Sequence, residues 1–141
     1  MPTELSVHAI HQGNMRITAS NGTYSLPMDY PLKAGEPVAG LKPLEVLLAA
    51  LAGCAGNSLA ILLKKLGQPY TGLEVRVKGT RREEHPTVFT QIALEFLVRG
   101  KNVDPAKVEK AIKQSEELIC PVWTMLKPGV KIISSFTIVG E

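Results

Sequence analysis

Between Val46 and Leu63 the chain runs for eighteen residues without a formal charge. A stretch of that length satisfies the minimum for a membrane-spanning helix, so it limits the possible architectures more than any other segment. Two features argue against a bilayer. Seven of the eighteen residues are Ala or Gly, and Asn57 and Ser58 sit side by side within the run. Small residues bring little apolar area per turn but let other backbones approach closely. A helix that is apolar all round is also what the middle of a protein core requires. The stretch is therefore expected to be a long buried helix, with Leu41 to Leu66 covering the helix and its approach, Pro43 near the first turn and Gly67 as the stop.

The segments on either side read as strands and a second helix. Glu4–Gln12, Met15–Ser20 and Thr23–Met28 are short strand candidates separated by the turn signals Gly13-Asn14 and Asn21-Gly22. "LEVRVKG" alternates apolar and charged residues, which points Leu73, Val75 and Val77 inward. "TQIALEFLVRG" does the same for Ile92, Leu94, Phe96 and Val98. In "VDPAKVEKAIKQSEELIC", Asp104 is a helix N-cap and Pro105 occupies the first helical position. The spacing there buries Val108, Ala111, Ile112, Ser115 and Ile119. A strand, "VKIISSFTIV", follows. Strands and helices do not alternate as βαβ units, so the expected class is α+β, and 141 residues fit one domain, 1–141.

Charge narrows the function classes. The net charge is +3 and the basic residues are scattered, with Lys64-Lys65 and Arg81-Arg82 the only basic pairs. No nucleic-acid partner is expected. "MPTELSVHAIHQG" lacks a charged segment followed by an apolar run, so a cytoplasmic location and reduced thiols are expected, with no membrane partner.

Only two cysteines are present, Cys54 and Cys120, 66 positions apart. That separation excludes both a C-x-x-C redox motif and a zinc knuckle. His8 and His11 would point to opposite faces of a strand, and His85 sits in a turn, so no metal or other cofactor is expected. Pro121 breaks any helix running through Cys120 and can start a new one, "PVWTMLK", with Cys120 as its N-cap. A thiolate at that point is favoured by the helix dipole and the free amides. Taken alone, the residues leave Cys120 either as such an activated thiol or as a small apolar residue at a helix break. For Cys54 the plain local reading is core packing.

The combination "KPLEVLLAALAGCAGNSLAILLKKLG", "RREEHPTVFTQIALEFLVRG" and "AIKQSEELICPVWTML" resembles the OsmC/Ohr family, from about Met15 to the end of the chain. The "RREEHP" turn is similar to its YhfA-like branch. The resemblance implies antiparallel sheets packed around a long buried central helix in an intertwined homodimer. It implies thiol-dependent reduction of organic hydroperoxides, with Cys54 attacking and Cys120 resolving, and a lipoylated protein or small dithiol as reductant. In the hydroperoxidases an arginine from the N-terminal strands supports the attacking thiol, and a glutamate holds that arginine. Here the matching positions fall at about Gly13 and at Leu44, with Arg16 and Glu45 close by. Glu45 lies nine residues from Cys54, about 180° around a helix, and would also suit the helix dipole. The alternative implied by these departures is an OsmC-fold protein that binds a small ligand or senses redox state with little turnover.

Overall fold

The structure is a computed structural model, and it describes residues 3–140. The chain divides into two compact units, 1–47 and 48–141.

The first unit contains an antiparallel sheet of β1 (His8–His11), β2 (Ile17–Ser20) and β3 (Ser25–Met28), in that order. The β1–β2 turn carries Gly13 and Asn14 at positive φ, and the β2–β3 turn carries Gly22 at positive φ, as the turn signals predict. The strands are shorter than their apolar patterns suggest. Among the described residues of this unit only Asp29 is buried. Its carboxylate accepts the amides of Tyr30 and Ala39 and so pins the Pro- and Gly-rich loop after β3. Gly40 lies against the Pro27 carbonyl, where a Cβ would not fit.

Helix α1 (Pro43–Lys65) begins at the end of this unit. The Glu45 carboxylate accepts the Lys42 amide at 2.8 Å, which is the back half of a capping box and satisfies a donor left free at the helix start. Gly67, at φ +70, ends the helix as expected.

In the second unit α1 buries Leu51, Ala55, Ser58, Leu59, Leu62 and Leu63. Its opposite side, with Ala50, Gly53, Asn57 and Ile61, is exposed in the single chain. The helix is thus half covered rather than buried on every face. It remains long and apolar enough to cross a bilayer by length and composition alone. Gly56 meets the sheet closely, since a Cβ there would come within 3.0 Å of Val75 Cγ2.

The second sheet has the order β4 (Gly72–Arg81), β5 (Phe89–Arg99), β6 (Lys131–Val139). Register places Leu73, Val75 and Val77 opposite Val98, Phe96 and Leu94, so the two alternating patterns share one face. Ile92, Leu94, Phe96 and Val98 are fully buried on the central strand. The β4–β5 pair is antiparallel, but β6 runs parallel to β5, where antiparallel pairing was expected. The residues between β5 and β6 account for this. They form α2 (Pro105–Gln114), a π turn (Ser115–Ile119) and α3 (Pro121–Leu126), a crossover long enough to return the chain to the same end of the sheet. Asp104 caps α2 by accepting the Ala106 amide at 2.9 Å. Trp123 stacks on Phe96, with ring centroids 6.5 Å apart, and so fastens α3 to the apolar face.

Candidate functional site

Two helices that do not follow one another in sequence bring the cysteines together. Cys54 lies midway along α1 and is partly exposed, whereas Cys120 is fully buried. Cys54 lies near enough to the Cys120 thiol to raise its pKa, and both cysteines are free rather than joined in a disulfide. The sequence separation of 66 residues is closed by the fold.

Cys120 is the N-cap of α3, as the Cys-Pro pair suggests. Its sulfur accepts the Trp123 amide at 3.5 Å, and its backbone is extended, as a residue before proline should be. Of the two readings left open for this residue, a lowered pKa is not the net result. Burial raises it most, and the hydrogen bond and charge of Cys54 raise it further, against the smaller opposing pull of the Trp123 and Val122 amides. The pKa stands at about 11, up from 9.0. A capping position favours a thiolate only where the sulfur keeps some hydration, and here it keeps none. Cys120 is therefore a buried thiol that holds its proton more tightly than a free cysteine does.

Around Cys54, Ser58 donates its hydroxyl to the Cys54 carbonyl at 2.9 Å. Such a bond to the residue four back bends a helix slightly. Glu45 is used in capping its own helix. Arg16 belongs to the first unit, where its Nε lies 3.8 Å from the Asp29 carboxylate. With Gln12, Asn14 and Tyr30 these two line a polar cleft of about 260 Å³. The structure thus unites Cys54 with Cys120, while Arg16 and Glu45 each have a local partner. The described residues contain no group of three or more His, Cys, Asp and Glu able to hold a metal ion.

Sequence reasoning missed the π turn that precedes Cys120, and with it the position of Ile119. It expected Ile119 to be buried, but Ile119 is exposed and Cys120 takes the inward place. The signal was available in part. The inward spacing Val108, Ala111, Ile112, Ser115 leads to Ile119, yet the Cys-Pro step one residue later demands its own buried anchor.

Comparison with known proteins agrees with this architecture. The family model described as OsmC-like protein matches residues 34–135. Protein YhfA of Escherichia coli strain K12 is 37% identical over 98 residues, covering 70% of this chain and 73% of YhfA. The chain belongs to the OsmC-like family. A crystal structure of a hypothetical protein from Aquifex aeolicus VF5 superposes with a TM-score of 0.87 at 26% identity, covering 99% of both chains. The organic hydroperoxide resistance protein OhrB of Bacillus subtilis shares the fold, with a TM-score of 0.67 at 21% identity over 96% of this chain and 98% of its own.

Proposed function

We propose that the protein is a thiol-dependent peroxidase acting on organic hydroperoxides in oxidative-stress defence. The observation that carries this reading is the pairing of a partly exposed Cys54 with a fully buried Cys120 whose pKa it helps to raise. Family membership and the organic hydroperoxide resistance named for fold relatives such as OhrB support it. The cycle has three steps. The Cys54 thiolate attacks the peroxide oxygen, the O–O bond breaks, and the alkoxide leaves as alcohol after taking a proton, with Cys54 left as sulfenic acid. The Cys120 sulfur then attacks the Cys54 sulfur, forming the disulfide, and the Cys120 proton leaves with the hydroxyl group as water. A dithiol, either a lipoylated protein or a small molecule, reduces the disulfide by exchange. Cys54 fits the first role because it is the partly exposed thiol a substrate can approach, which leaves the buried Cys120 the second.

The working form in this reading is a cytoplasmic homodimer. Leu5, Val7, Ile10 and Tyr24 are all more than half exposed in a unit whose only buried described residue is an aspartate. On α1 the exposed positions Ala50, Gly53 and Asn57 recur at helical spacing beside Ile61, which suits a close crossing with a second copy.

One observation favours a second reading, a ligand-binding or redox-sensing protein with little turnover. Gly13 and Leu44 stand where the hydroperoxidases carry their arginine and glutamate, while Arg16 and Glu45 are engaged with Asp29 and Lys42. Mixing reduced protein with an alkyl hydroperoxide separates the two. Peroxide loss well above that of free cysteine, with a mass change of two hydrogens for the disulfide, supports the peroxidase. Consumption no faster than free cysteine overturns it.

A further inference from the structure

Two residues compete for one inward position. The apolar spacing along α2 leads to Ile119, but the structure buries Cys120 completely and leaves Ile119 46% exposed. The π turn makes this exchange. The Cys120 amide donates to the Ser115 carbonyl, five residues back, at 2.8 Å, so the turn absorbs one surplus residue. An unbroken α-helix over the same residues would instead send the Ile119 amide to Ser115 and the Cys120 amide to Glu116. Ile119 would then point inward, and Cys120 would turn away by about 100°.

Each register has its own merits. The α register gains from better hydrogen-bond geometry and from burying an isoleucine in place of a thiol. The π register gains the Cys54 contact and the sulfur cap on α3. Ser115, at the head of the turn, has a fully buried hydroxyl with no hydrogen-bond partner among the described residues, so the packing at this point is not optimal for the register observed. Glu117 and Leu118 are exposed beside Ile119, which leaves the turn free to rewind in the single chain.

We infer that the Ser115–Ile119 turn is a two-position register switch in which Cys120 either meets Cys54 or yields its buried place to Ile119. The consequence rests on the two-cysteine reading: with Cys120 withdrawn, an oxidised Cys54 has no resolving thiol and remains open to further oxidation. The switch itself is tested without peroxide, by following iodoacetamide labelling of each cysteine in the fully reduced, full-length protein by peptide mass. Cys120 labels faster than global unfolding allows. Ile119→Gln slows it roughly tenfold, because the α register would then bury an unpaired amide, while Ile119→Leu labels like the wild type. An unchanged or faster rate in Ile119→Gln, at an unchanged denaturation midpoint, overturns the inference. Hydrogen exchange on the wild type decides the matter independently of that variant's folding. The Ile119 and Cys120 amides exchange faster than those of Ala111, Ile112 and Lys127, and equal protection overturns the switch. If the wild type shows no hydroperoxide turnover, the peroxidase reading falls and these rates stand unaffected.

Discussion

Gly79 of β4 lies beneath the ring of Phe89 at the start of β5, so close that a Cβ would fall inside the ring's van der Waals envelope. Phe89 is buried, so its ring must shift against packed neighbours to admit a Cβ. Gly79→Ala is therefore an overpacking substitution and is expected to destabilise by about 1–3 kcal/mol. Urea denaturation checks this, and a midpoint equal to wild type would show that the ring moves freely.

The cysteines have separable parts in the proposed cycle. Cys54→Ser is expected to abolish hydroperoxide reduction. Cys120→Ser keeps the first oxidation but accumulates sulfenic and then sulfinic Cys54, seen as mass gains of one and two oxygens. Equal residual activity in both variants would remove the division of labour.

The raised pKa of Cys120 makes a pH prediction with a definite sign. The folded state holds this proton more tightly than the unfolded chain, so the associated stability is fully present below pH 9. It is lost as pH rises from about 9 to about 11. Guanidinium denaturation of wild type and Cys120→Ala across that range isolates the contribution. The difference between them shrinks by roughly 1–3 kcal/mol, and a constant difference would contradict the burial-driven shift.

Glu45→Ala removes the acceptor for the Lys42 amide and should lower stability by about 0.5–1 kcal/mol. Glu45→Gln, which keeps an acceptor, should recover most of it. A calorimetric melt of the three proteins is sufficient, and identical midpoints would mean that water replaces the carboxylate at no loss.

A homodimer is expected from the exposed apolar residues of the first unit and of α1. Light scattering at micromolar concentration, roughly the usual working range, should return twice the chain mass. Ile61→Glu should shift that mass toward the monomer, because it sets like charges and an unpaired carboxylate on the exposed side of α1. A stable wild-type monomer would leave Leu5, Val7 and Tyr24 without an explanation.

Much of this structure was legible because local signals and packing agree. The Pro43 start and Gly67 stop of α1, the shared face of β4 and β5, and the Asp104 cap all follow from single residues whose preferences the fold does not override. The Cys120 cap was legible for the same reason, since Pro121 leaves few alternatives. The parallel sense of β6 was not, because alternation fixes which face a strand buries but not the direction in which it runs. Ile119 was misplaced because periodicity assumes a constant number of residues per turn, and one π hydrogen bond shifts every later position by one. The direction of the Cys120 pKa shift stayed open in the sequence because the cap is local and visible there, whereas the burial that outweighs it comes from residues far away in the chain.

Trp123 is the chain's only tryptophan. Its indole is nearly inaccessible, and its own amide is hydrogen-bonded to the Cys120 sulfur. The protein thus carries an optical probe beside the proposed redox pair without any label. Thiolates and disulfides quench a nearby excited indole more strongly than a thiol does, so emission intensity follows the oxidation state of the pair in real time. A stopped-flow trace of intrinsic fluorescence after mixing with oxidant times the sulfur chemistry in the unmodified chain.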